Sequence, residues 1–182
     1  QTRSLRAAVT RLLHEELGPN AELDEFCLYL QNPCVQSCEF CEEPILRRRP
    51  AIRVASRVLR LQQTLALDLV STGILDALLS VLATWRTRAR LKISGNDWLR
   101  FPHLDGLLSA LERHPSVPLR FQGPSLGLSS EPLLRRVAAL PSLECIAMTL
   151  QSSDADEHDA MLGLPGGHAQ LMGILDHLEA LS

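Results

Sequence analysis

The stretch Phe26-Cys27-Leu28-Tyr29-Leu30-Gln31-Asn32-Pro33-Cys34-Val35-Gln36-Ser37-Cys38-Glu39-Phe40-Cys41 decides how the rest of the chain is read. Its first five residues are apolar and aromatic, which predicts a short buried strand that delivers Cys34 at its C-terminal end. The cysteines that follow stand at C-x3-C-x2-C spacing, close enough for three soft ligands to converge on one point. Thiolates so arranged suit iron-sulfur iron or zinc, and a set of three leaves a fourth coordination position open. An open position favours chemistry over a closed structural site.

Outward from this stretch the chain alternates strand and helix. Before it, Leu5, Val9, Leu12, Leu13 and Leu17 recur at helical period until Gly18-Pro19-Asn20 stops them. After it, the apolar positions from Ile52 to about Trp85 predict two helices broken near Ser71-Thr72-Gly73. Strands are then expected over residues 90–94, 117–122 and 143–151, and helices over 104–111, about 130–140 and about 168–181. In the second of these helices Ser129 or Ser130 can cap and Pro132 suits the first turn. Residues between 151 and 168 read as a polar loop. Such a rhythm demands a parallel sheet with right-handed crossovers and functional residues at the C-terminal strand ends.

Composition bounds the function. The chain has 182 residues, enough for a single domain with a substantial core; 46% are hydrophobic and 21% charged. No apolar run approaches a membrane span, and the N-terminus lacks the apolar core of a signal peptide, so a cytoplasmic location is expected. Five cysteines, three of them clustered, do not form a secreted disulfide pattern. A net charge of −3 with Lys92 as the sole lysine predicts no nucleic-acid footprint. The run Arg47-Arg48-Arg49 reads as a solvated turn, and Cys27 and Cys145, each inside an apolar strand, read as core.

The cysteine spacing, with Phe40 just before the last thiol, resembles the signature of the radical S-adenosylmethionine (radical SAM) enzymes. The order of elements resembles their partial (β/α) barrel from about Asp24 to Ser182, with residues 1–23 as a leading helical segment. The resemblance implies a [4Fe-4S] cluster held by Cys34, Cys38 and Cys41, whose fourth iron binds the amino and carboxylate groups of S-adenosyl-L-methionine. One electron would then cleave the sulfonium and yield a 5'-deoxyadenosyl radical that abstracts hydrogen from substrate.

Further segments carry the likeness. Ile93-Ser94-Gly95-Asn96-Asp97-Trp98, with the trailing Leu99-Arg100-Phe101-Pro102-His103-Leu104, is similar to the family's Gly-Gly-Glu-Pro loop. It implies Gly95, Asn96 and Asp97 beside the methionyl amino group. Asp97 stands where Glu is usual and Trp98 where Pro is usual. Phe121-Gln122-Gly123-Pro124 occupies the place of the Thr-Asn-Gly loop, with Gln122 toward the methionyl carboxylate. Met148-Thr149-Leu150-Gln151 resembles the Ser-Leu-Asp segment, which implies Thr149 near the ribose hydroxyls and Gln151 close by.

The residues from Asp156 to His168 resemble the sequence that follows this strand in peptide-modifying and cofactor-building members. Within them His158 and Asp159 are adjacent, and capping or loop bonding suits such a pair better than joint acid-base work. About four of the family's six strand-helix units are expected here. The remainder would come from a missing C-terminal segment or a partner chain that also covers the last strand's edge. A small-molecule or peptide substrate and an electron donor such as a flavodoxin or ferredoxin complete the implied set. The other readings of the cysteines are an iron-sulfur binding or electron-transfer module and a zinc-binding structural protein.

Overall fold

The structure is a computed structural model that describes residues 2–18, 22–30, 36–38, 73–85, 88–95, 98–124, 128 and 130–181. In chain order its elements are α1 (Thr2–Leu17), β1 (Glu25–Leu30), α2 (Ile74–Leu82), β2 (Arg90–Gly95), a 3-10 turn (Trp98–Arg100), α3 (Leu104–Arg113), β3 (Leu119–Gln122), α4 (Glu131–Ala138), β4 (Leu143–Ala147), α5 (Ala155–Leu162) and α6 (Gly167–Leu181). The fold is therefore α/β. Of the two helices expected between Ile52 and Trp85, the first lies outside the described residues and the second is α2, opened by Gly73 at φ 72°.

All three strand pairings are parallel and the sheet order is β1-β2-β3-β4. Each strand pairs with its sequence neighbour, so the sheet is wound in one direction. Successive right-handed crossovers in one direction put the connecting helices on one side, as in a barrel segment. A doubly wound sheet would reverse its order, and this one does not.

Period-two alternation decides which face meets the helices. Phe26, Leu28, Leu30, Leu91, Ile93, Leu119 and Phe121 are buried in one cluster with Leu13 of α1, Leu75 and Leu79 of α2, Leu107 and Leu108 of α3 and Leu134 of α4. Each such side chain contributes on the order of 1.5–3 kcal/mol by leaving water. The opposite face carries Glu25 and Cys27 from β1, Arg90, Lys92 and Ser94 from β2, Arg120 and Gln122 from β3, and Cys145 and Ala147 from β4.

The β3–β4 pairing contains a register shift. Leu119 pairs with Leu143 but Arg120 pairs with Cys145, so Glu144 is an extra residue on β4. The shift lets both Leu143 and Ile146 pack against the helix-side core. It also leaves Cys145 exposed on the polar face, which corrects the expectation of a core cysteine there.

Two boundaries differ from the sequence reading. β4 stops at Ala147, so Thr149 and Gln151 lie in the loop just beyond the strand. The expected polar loop contains α5, which Asp154 caps by accepting from the Glu157 N–H at 2.9 Å. Only His158 and Leu162 of α5 are buried, one i,i+4 pair, too little apolar pattern to announce a helix. At α4, Ser130 is the N-cap residue and Pro132 sits in the first turn as expected, although no side chain caps it. Among the described residues no helix is long and apolar enough to cross a membrane.

Candidate functional site

A cleft opens beyond the C-terminal ends of β3 and β4. Gln36, Cys38, Gly123, Pro124, Met148, Thr149, Gln151, His158, Leu162 and Leu171 line it. Three of the residues expected at one site, Cys38, Thr149 and Gln151, thus share one concave surface. The expected site residues Cys34, Phe40, Cys41, Asn96 and Asp97 lie outside the described residues, as do Arg47, Arg48 and Arg49. Among the described residues no three His, Cys, Asp or Glu side chains gather as a metal site.

Cys38 reaches the cleft because its loop is tied to the C-terminus of α5. The Ser37 N–H donates to the Leu162 carbonyl at 3.0 Å, and the Ser37 hydroxyl donates to the Gly163 carbonyl at 3.4 Å. Gly163 ends α5 in the left-handed region, φ 59°, and its missing Cβ leaves space that Ser37 fills. The half-buried Cys38 thiol contacts Gln36 Oε1 at 3.6 Å. By contrast, burial pushes the Cys27 thiol up, against the pull of Lys92, which keeps it a protonated S–H rather than a thiolate ligand.

The loop after β4 is fixed by His158. Its ring is 1% exposed, and its Nδ1 accepts from the Gln151 N–H at 3.1 Å, so in the neutral ring the proton sits on Nε2. The imidazole thereby pins Gln151, two residues beyond Thr149, and itself stands in the cleft wall. Its neighbour Asp159 points elsewhere. The Asp159 carboxylate accepts from the backbone N–H groups of His168 at 2.7 Å and of Gly166, at the start of α6. These residues are therefore a positioning imidazole and a helix-start acceptor. Loop bonding and helix-start bonding are what the adjacent pair was expected to do; the place of His158 in the cleft lining is what the sequence did not announce.

Gly95 and Gln122 lie at the neighbouring strand ends, outside the cleft lining. Gly95 has φ 138°, and a Cβ there would collide with the Leu30 carbonyl, so the close approach of β2 to β1 already requires glycine. Trp98 is fully buried and stacks on Phe121, with ring centroids 4.1 Å apart and an interplanar angle of 20°. Where proline would stiffen the loop after β2, this chain anchors it by an indole in the core. The Trp98 Nε1–H is buried and has no hydrogen-bond partner among the described residues.

Fold and site together define an α/β protein with a singly wound parallel sheet and a cysteine-bearing cleft at its strand ends. Comparison with known proteins brings no match to a protein-family model, a curated protein or a solved structure.

Proposed function

We propose that the chain reductively cleaves S-adenosyl-L-methionine at a [4Fe-4S] cluster and uses the resulting radical to abstract hydrogen from a small-molecule or peptide substrate. The observation that supports this reading is the meeting of Cys38 with Thr149 and Gln151 in one cleft at parallel strand ends. The donor set suits the group. Cys38 is half-buried at the cleft, and Cys34 and Cys41 follow from the same short motif. A cluster held by these cysteines would supply the single electron, drawn from a flavodoxin or ferredoxin, that reductive cleavage of the sulfonium requires.

The chain's own residues bind and orient. The Thr149 hydroxyl can both donate and accept, as a ribose diol requires, and the Gln151 amide offers the same pair of roles. His158 holds that loop in place through the Gln151 N–H. Gly95, Asn96 and Asp97 are assigned to the methionyl amino group, Gln122 to the methionyl carboxylate and Phe40 to the cluster's flank. Leu162 and Leu171 supply apolar wall that limits water around the reacting bond.

Anaerobic reconstitution with iron and sulfide, followed by dithionite and S-adenosyl-L-methionine, tests the proposal. The expected result is a cluster spectrum and 5'-deoxyadenosine. Bound zinc would make this a structural metal protein, and a full cluster without nucleoside release would make it an electron-transfer module.

A further inference from the structure

The polar face of the sheet carries an unbalanced charge. Lys92 and Arg120 are register partners on adjacent strands, with Cys27 and Cys145 at the ends of the same row. Neighbouring strands lie about 4.8 Å apart, and like charges directly across a sheet repel. The carboxylates on this face are already engaged: Glu144 with Arg90 at 2.8 Å, and Glu25 with Lys92 at 3.7 Å. Among the described residues, three cations against two carboxylates leave one positive charge on this face, and Arg120 holds it. Its buried Nε–H has no hydrogen-bond partner, and its guanidinium no ion pair, among the described residues. A buried donor left unmade costs about 1–3 kcal/mol, so an arginine is not held there for stability.

We infer that Arg120, assisted by Lys92, binds a carboxylate group of the substrate on the polar face of the sheet. The guanidinium offers its fork of N–H donors to the two oxygens, and the Lys92 ammonium supplies a second, compact charge that is only loosely held by Glu25. Arg120 lies two residues before Gln122 on the same face, about 6.6 Å below the strand end. A carboxylate anchored there leaves the rest of a substrate directed toward the strand-end loops. The binding step stands by itself; calling the ligand a substrate rests on the proposed radical chemistry.

Because Lys92 is the sole lysine, reductive 13C-methylation, which keeps the charge, gives one side-chain NMR signal apart from the terminal amine. Succinate is expected to shift that signal saturably, and succinamide, of the same shape without charge, is expected to leave it in place. Arg120→Gln should weaken succinate at least tenfold. Cys38→Ala should bind succinate like the unaltered chain, so failure of cleavage and failure of this site are separate results. Absence of a succinate shift, an equal shift with succinamide, or undiminished binding in a folded Arg120→Gln protein would overturn the inference. Should Arg120→Gln not fold by circular dichroism, the succinate–succinamide comparison in the unaltered chain decides it.

Discussion

Ser37 packs into the space that Gly163 leaves at the end of α5, and its N–H is bonded to the carbonyl of the preceding Leu162. The described part of the cysteine motif, residues 36–38, is thereby held by an element some 126 positions away in sequence. A Cβ at position 163 would press on the Ser37 hydroxyl and stand 3.2 Å from its carbonyl oxygen. The left-handed conformation itself costs a non-glycine residue about 1–2 kcal/mol. Gly163→Ala is expected to lose about that much stability by urea unfolding. It should also lower iron retained after reconstitution, because the shift falls on the residue next to Cys38. Full iron content with reduced stability would detach the motif from this anchor.

Cys38→Ala should abolish cluster binding and 5'-deoxyadenosine release while the far-UV circular dichroism is kept, since the thiol lies at the cleft and outside the hydrophobic cluster. Cys145→Ala, on the polar face, should keep both iron and cleavage. Unchanged iron in the Cys38 variant would refute the ligand assignment.

Trp98→Ala removes a fully buried indole and its stack on Phe121. Loss of about 3–5 kcal/mol is expected by chemical denaturation. Trp98→Phe should recover most of it, because a ring is restored and the unpartnered N–H is removed.

Acid should weaken the fold through Asp159 and Asp76. The His168 N–H holds the Asp159 carboxyl below the usual carboxylate range, with desolvation opposing and the Gly166 N–H assisting. Burial pushes Asp76 up, but hydrogen bonds from Arg113 and His114 outweigh it and the net direction is down. A lowered folded value means that protonation favours the unfolded chain. Stability is therefore fully present above about pH 5 and declines as pH falls through and below about 4, the ordinary aspartate value. Asp159→Asn should be less stable at neutral pH and flatter across that acid limb in urea titrations at successive pH values.

Much of the architecture was legible because β1, β2 and β3 bury one apolar face completely, leaving Phe26, Leu91, Ile93, Leu119 and Phe121 as an unmistakable run. What could not be read was local. The register shift at Glu144 is invisible in an apolar segment, so Cys145 looked like core, and α5 hides among acidic residues that serve its first turn. At the cleft, Thr149 and Gln151, assigned by position, are part of the lining, whereas Gly95, assigned by resemblance, lies outside it. Its conformation answers first to Leu30. His158 and Asp159 diverge, as neighbours on a helix do, and bond the loop and the start of α6 as expected of them; that His158 also lines the cleft had no signal of its own in the sequence.

The extra residue on β4 works as a spacer that decides who answers Arg120. Had the strands paired without it, Glu144 would stand opposite the guanidinium and quench it from within the chain. Because β4 steps over Glu144, that carboxylate is sent to Arg90 instead and a thiol is presented in its stead. Deletion of residue 145 would bring Glu144 opposite Arg120 and close this vacancy in charge without touching any residue of the cleft. Selectivity for an anionic guest is thus written in strand length.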